Sequence, residues 1–301
     1  MRTAYLGTSD FAATVLRRLA SSRHRPALVV TPPDSRQGRG RKPRPAPVAE
    51  AATELGIELL RAEDVNSEPA LAAIRAARPD AIAVCAFGQL IREPLLSEFS
   101  MLNVHPSLLP RWRGAAPIER AMMAGDERTG VCVMRLTAGL DSGPVALEEE
   151  VAIGPGEDFG ELSARLAELG GELLVRALDL QAEGRLEFVE QDEAAATYAE
   201  KIGPGDRCLD PSCPASDLEA RVRALTPHIG AYLETADGEP LGIRQARAVD
   251  VDLDPGEVRV EEEALLVGCG DGALRLETVQ PPGGKAMPVD AYLRGHSPPK
   301  L

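Results

Sequence analysis

Through the first half of this chain, short apolar runs alternate with longer stretches in which apolar residues recur at helical spacing, and no other feature restricts the fold as much. Residues 2–6, 27–31, 57–60, 81–85 and 101–104 read as strands, with helices at 10–20, 48–55 and 68–77 between them. Strand, helix and strand in succession make βαβ units on a largely parallel sheet covered on both faces. The fold class is therefore α/β.

Residues 159–183 carry Leu162, Leu166, Leu169, Leu173 and Leu174 at helical spacing, the apolar stripe of one long packing helix. Beyond Gln191 the character changes. Gly203-Pro204-Gly205, Asp210-Pro211 and Cys213-Pro214 mark turns, and 216–225 reads as a short helix. Short alternating runs follow at 230–235, 241–248, 256–260, 265–269 and 274–279, separated by Asp-Gly and Pro-Gly turns, which predicts a small, OB-like β-barrel. A chain of 301 residues accommodates two domains. The expected division is 1–190 for a catalytic domain, 191–206 for a linker and 207–301 for the barrel.

Side chains two apart on a strand share a face, so Asn103 and His105 point the same way where the strand breaks at Pro106. Open α/β sheets bind ligands outside the carboxyl ends of their strands, and the pair stands there. A third polar group, Asp141, lies between Gly139 and Gly143 in a loop. Asp with Gly is also ordinary turn chemistry, so Asp141 draws its weight from its company.

Asn, His and Asp together serve several mechanisms. The Asn103 amide can donate to an oxyanion, His105 can exchange a proton near neutral pH, and Asp141 can orient the imidazole. No Ser or Cys stands in a nucleophile motif such as Gly-x-Ser-x-Gly. The cysteines, Cys85, Cys132, Cys208, Cys213 and Cys269, form no Cys-x-x-Cys pair and read as reduced and structural, so no metal is expected. Direct attack of a substrate amine on a carbonyl remains.

The run from Asn103 through Val104, His105, Pro106, Ser107, Leu108, Leu109, Pro110, Arg111, Trp112, Arg113 and Gly114 to Pro117, followed by Asp141-Ser142-Gly143, resembles the core of the 10-formyltetrahydrofolate-dependent formyltransferases. The resemblance implies a Rossmann-like fold, 10-formyltetrahydrofolate as the formyl-donor cosubstrate, and catalysis by Asn103, His105 and Asp141. It implies that Asn103 and His105 stabilise the oxyanion formed when an amine attacks the formyl carbon, while Asp141 maintains the protonation state of His105. It further implies that Phe87, Gly88, Gln89, Leu90 and Ile91 line the pterin pocket, largely through backbone groups, and that Ser107, Leu108, Leu109 and Pro110 border the folate. Simple packing is an equal reading for Leu108 and Leu109.

The flanks resemble the members of that family whose acceptor is methionyl-initiator tRNA. They include residues 6–12, the loop 33–42 with Pro47-Val48 after it, and 115–120, 197–202, 280–287 and 293–295. A formal net charge of −14 argues against RNA binding by a generally basic surface, so any contact must be local. Arg36, Arg39, Arg41, Lys42 and Arg44 supply a local reversal against Asp34 alone, interleaved with Gly38, Gly40 and Pro43. These five are the expected tRNA contacts. The acidic second domain offers only Arg221, Arg223, Arg244 and Arg247 as a local stripe. No apolar run is long enough to span a membrane, and the N-terminus lacks the pattern of a signal peptide, so a cytoplasmic protein is expected.

Two other readings stay open. A formyltransferase for a sugar-nucleotide amine or another small amine would use the same three residues without the cationic loop, and a binding module could keep only the fold. A dehydrogenase fits less well, because Gly7-Thr8-Ser9-Asp10 lacks the full Gly-x-Gly-x-x-Gly fingerprint.

Overall fold

A computed structural model describes residues 1–37, 42–261 and 264–301, with the side chains of 35–37, 42 and 43 outside the description. Contacts divide the chain into two compact units. The first comprises Met1–Gly114, Thr129–Val151 and Ser163–Tyr198; the second comprises Ala115–Arg128, Ala152–Leu162 and Ala199–Leu301. No helix of the described residues is long and apolar enough to cross a membrane.

The first unit is built on a seven-stranded sheet. Its strands are β1 (Thr3–Gly7), β2 (Pro26–Thr31), β3 (Glu58–Arg61), β4 (Ala81–Cys85), β5 (Met101–His105), β6 (Arg128–Arg135) and β7 (Val145–Ala152). Their spatial order is β3-β2-β1-β4-β5-β6-β7. β1 to β5 pair in parallel, and β6 runs antiparallel to β5. Chain order reverses between β1 and β4, which opens a crevice at the carboxyl ends there, the usual ligand position in a doubly wound sheet.

The helices form where the sequence caps them. In α1 (Asp10–Ala20), the Ser9 side chain accepts from the Ala12 N–H at 3.3 Å, Asp10 lies in the first turn, and Arg17 and Arg18 lie in the last, as the helix dipole favours. Pro47 opens α2 (Pro47–Glu54), where its missing N–H costs nothing. α3 (Glu68–Ala77) buries Ala70, Leu71 and Ile74 in a core with Ile82, Val84 and Met101. Val104, on the other face of β5, packs against the long helix α4 (Phe159–Ala182). A Cβ at Gly170 would stand 2.8 Å from Val104 Cγ1, so only glycine lets the helix approach this closely. Met101, Asn103 and His105 therefore share the α3 side of the sheet, with the polar pair at the carboxyl end of the strand.

β6 and β7 extend the sheet beyond the five strands expected from sequence. β6 is a continuous buried run from Thr129 to Met134, while β7 is an edge strand with Glu148, Glu149 and Glu150 exposed. Residues up to Tyr198 of the expected linker belong to the first unit.

The second unit is a small barrel-like antiparallel sheet. Its strands are β8 (Ala231–Glu234), β9 (Pro240–Val249), β10 (Val258–Glu261), β11 (Ala264–Gly268), β12 (Ala273–Gln280) and β13 (Met287–Pro288). They follow the path β8-β9-β12-β11-β10, with β13 added to β12. Register shifts in β9 at Ile243/Gln245 and Gln245/Ala246 supply the bends that curl a sheet. α5 (Ala215–Leu225) lays Leu218, Val222 and Leu225 into a core with Leu233, Ile243 and Leu276. The short helix Pro117–Met123 also belongs to this unit, where Arg120 pairs with Asp206 at 2.7 Å.

Candidate active site

Asn103 and His105 stand at the end of β5, at 8% and 4% exposure. β5 is bonded on both edges, Asn103 lying opposite Val84 on β4 and Met134 on β6. The Asn103 carboxamide makes no hydrogen bond among the described residues. Its polar atoms are not among the fully buried ones, so the amide reaches open space, where it is free to donate or accept.

His105 is oriented by backbone. Its Nε2 lies 2.9 Å from the Trp112 carbonyl. A carbonyl only accepts, so Nε2 carries the hydrogen, and proton exchange is left to Nδ1. Nδ1 faces Asp141 Oδ2 at 3.7 Å, beyond hydrogen-bond length but within ion-pair reach once the ring is protonated. Trp112 offers its carbonyl from a left-handed turn, with φ 63°.

Asp141 is also left-handed, at φ 44°, and its Oδ2 accepts from the Gly114 N–H at 2.9 Å. The loop folds tightly here, for a Cβ at Gly143 would stand 1.9 Å from the Arg135 carbonyl oxygen. Asn103, His105 and Asp141 thus belong to one cluster of the first unit, although strand β6 lies between Asp141 and the other two in the chain.

Ser107 is fully buried, and its hydroxyl donates to the Arg111 carbonyl at 2.7 Å, closing the turn that brings Trp112 back to His105. Leu109 is buried against Cys132 and Met134, and its N–H donates to Cys132 Sγ at 3.4 Å. Leu108 packs over Gly130, where a Cβ would come within 2.5 Å of Leu108 Cδ2; Pro110 is partly exposed. Packing is thus the visible role of both leucines. Burial pushes the Cys132 thiol up to about 12, so it stays protonated near neutral pH and offers no thiolate nucleophile.

The segment 87–91 leaves the carboxyl end of β4. Phe87 and Ile91 turn into the core, Gly88 is exposed at φ 78°, and Leu90 is 68% exposed. Gln89 faces back, donating to the Ala62 carbonyl at 2.8 Å and accepting from the Val65 N–H at 2.8 Å. Thr8 donates to the Phe87 carbonyl at 2.6 Å, tying this loop to the end of β1 across the crevice.

Of the cationic segment, Arg36 and Lys42 have their backbone in a hairpin of Ser35–Gln37 with Lys42–Arg44, and Arg44 is exposed. Arg39 and Arg41 lie outside the described residues. In the second unit, Arg221 donates to the Cys208 carbonyl, Arg223 to the Glu157 carbonyl and Arg244 to Gln280, while Arg247 pairs with Glu277. Arg223, Arg244 and Arg247 line a cavity of about 160 Å³ together with Asp158, Glu161, Glu219 and Glu277, so their charge is balanced locally.

Three partners of the site carry no role in the sequence reading. Arg113 is 2% exposed and binds the Glu193 carboxylate at 2.7 and 2.9 Å, holding that carboxyl below its usual range. Gln191 bonds both Arg113 and the backbone of the Asp141 loop. Arg113 lies inside the quoted motif and was accessible from it. Gln191 and Glu193 sit in no motif.

Comparison with known proteins fits this architecture. The formyl transferase family matches residues 1–178, and the C-terminal domain of formyl transferases matches residues 201–297. A methionyl-tRNA formyltransferase of Methylobacillus flagellatus is 42% identical over 299 residues, covering 98% of this chain and 97% of the relative. One from Parvibaculum lavamentivorans is 40% identical over 300 residues, with the same coverage of both chains. Among solved structures, HypX from Aquifex aeolicus in complex with tetrahydrofolic acid shares the fold, with TM-score 0.66 and 20% identity over 98% of this chain and 47% of that one. By two family matches and by relatives that agree over nearly its whole length, this chain belongs to the formyl transferase family.

Proposed function

We propose that the chain formylates the α-amino group of methionine carried by initiator tRNA, with 10-formyltetrahydrofolate as donor. The observation that carries the reading is the Asn103 carboxamide, without a hydrogen bond among the described residues and with its polar atoms open to solvent, beside His105 and Asp141 at the carboxyl edge of the sheet. The acceptor is proposed from relatives of known name, 39–42% identical over nearly the full chain.

The crevice fits a folate in two respects: the exposed backbone at Gly88 follows β4 directly, and the Asn103 amide is available beside it. Phe87 to Ile91 would hold the pterin, largely through backbone groups, and Ser107 to Pro110 would border it. The donor supplies a formyl carbon at the oxidation level of the product amide, so transfer needs no redox step.

The remaining chemistry belongs to the chain. Asn103 donates to the oxygen on which negative charge develops as the amine attacks. His105 Nδ1, the ring nitrogen not committed to Trp112, takes the proton the attacking amine gives up and returns one to N10 as the bond from the formyl carbon to N10 breaks and tetrahydrofolate leaves. Asp141 Oδ2 faces that nitrogen at 3.7 Å and orients the ring for the transfer. We assign transfer to residues 1–190 and tRNA contact to Arg36, Arg39, Arg41, Lys42 and Arg44, with 191–206 as linker and 207–301 as the second domain. An enzyme of charged tRNA works in the cytoplasm.

The test is formyl transfer to charged initiator tRNA across a salt series, in wild type and in an Arg41→Ala, Lys42→Ala double variant. For wild type, log kcat/KM should fall steeply with log salt, and the variant's slope should be shallower by roughly 1–2, about one per lost phosphate contact. Equal slopes would remove the loop from the reading. Efficient transfer to a small amine, with none to tRNA, would replace the acceptor.

A further inference from the structure

We infer that Gln191 is a positioning residue for the reaction, the side chain that sets the Asp141 carboxylate against His105. This rests on the reading that Asp141 acts on His105. The geometry is specific to an amide: Nε2 donates to the Asp141 carbonyl at 2.8 Å and to the Gly143 carbonyl at 2.7 Å, while Oε1 accepts from Arg113 Nε at 3.0 Å and Nη2 at 2.8 Å. Every hydrogen-bonding position of the carboxamide is filled.

Both carbonyls of the loop are gripped from one side by Nε2, and from its own end Asp141 Oδ2 takes the Gly114 N–H at 2.9 Å. A left-handed residue at φ 44° is held in this conformation by its surroundings rather than by its own preference. Releasing the two carbonyls removes the restraint that keeps the carboxylate 3.7 Å from Nδ1. Gln191 is itself well anchored. Two residues earlier, Val189 exchanges backbone hydrogen bonds with Val145 at 2.8 Å in each direction. One residue later, Asp192 caps the turn Glu193–Ala195, accepting from the Ala194 N–H at 3.0 Å. Behind it stands Arg113, buried and fixed to Glu193.

No other side chain satisfies both partners. Glu would keep the bond to Arg113 but aim a carboxylate oxygen at two carbonyls, and Asn is one methylene short. Gln191→Glu therefore separates the roles: the buried guanidinium stays paired while the hold on the loop becomes repulsion.

The experiment measures kcat, KM for donor and acceptor, and the urea midpoint for Gln191→Glu, Gln191→Met, Asp141→Asn and the Gln191→Glu, Asp141→Asn double variant. Gln191→Glu should lower kcat roughly 10- to 100-fold, as small misplacements of reacting groups do. Both KM values should stay within about threefold, and the midpoint should fall less than in Gln191→Met, because the Arg113 partner is retained while the two loop carbonyls lose their donor. In the Asp141→Asn background, the added Gln191→Glu should change kcat less than about twofold, since contacting residues that act as one unit are not additive. Gln191→Met keeps the length, loses every bond, and should lose both kcat and stability. If Gln191→Glu retains wild-type kcat, multiplies independently with Asp141→Asn, or shows a large fall in midpoint with raised KM, Gln191 has no positioning role. If Asp141→Asn itself transfers formyl as wild type does, the underlying reading of Asp141 fails, and the inference falls with it.

Discussion

Formyl transfer by a His105→Ala variant is expected to fall roughly 10³-fold in kcat/KM, which is about 4 kcal/mol of transition-state stabilisation. The expectation follows from the tautomer that the backbone imposes. With Nε2 bonded to Trp112, His105 offers only Nδ1 to the reaction, and the other named members of the cluster cannot replace it: Asn103 does not titrate, and Asp141 is turned to the Gly114 N–H. Truncation also takes a donor from the Trp112 carbonyl, so stability should drop by about 1–3 kcal/mol. His105→Gln separates the two effects. Its amide nitrogen can restore a donor to Trp112, recovering much of the urea midpoint, yet it carries no proton to exchange near neutral pH. Activity of either variant within tenfold of wild type would refute the role of His105.

Asn103→Ala carries the second large effect, with the opposite balance between rate and stability. Loss of one donor aimed at a developing oxyanion costs roughly 10²- to 10³-fold in kcat. Most buried polar side chains also cost stability when truncated, because a partner is stranded. Asn103 has no such partner among the described residues, so the variant should unfold within about 1 kcal/mol of wild type. The two assays together are diagnostic. A stability loss above about 2 kcal/mol would mean that the amide has a structural partner after all, and a kcat loss under tenfold would end its assignment as the oxyanion donor.

What the sequence disclosed of this site depended on whether the relevant spacing was local. The two-residue period of a strand places Asn103 beside His105 without further information, and the helical spacing of apolar residues over 10–20 marks α1. β7 escaped because its Glu148-Glu149-Glu150 run reads as a solvated segment, which an edge strand tolerates on its open side. β6 is a continuous apolar stretch, legible as a buried strand but lacking any alternation to fix it. Arg113 reads as a surface cation by residue type and is instead among the largest fully buried side chains, because Glu193 and Gln191 satisfy it. Gln191 was out of reach for a further reason: its loop partners are carbonyl oxygens 48 and 50 positions away, and a backbone atom has no letter in a sequence. The helix Pro117–Met123 likewise joins the second unit through contacts far along the chain.

The ladder on both edges of β5 also separates the two halves of the site in time. Asn103 is paired on both sides, with Val84 and Met134, and His105 on one, with Cys132, so their backbone amides should exchange slowly. The Asp141 loop lies outside that ladder, and releasing a few bonds frees it without disturbing a strand. Deuterium would enter the two segments on separate clocks, slowly at the strand and quickly at the loop. Faster exchange at the Asp141 loop than at Asn103 would mark the carboxylate as held by a few side-chain bonds and the amide as held by the sheet itself.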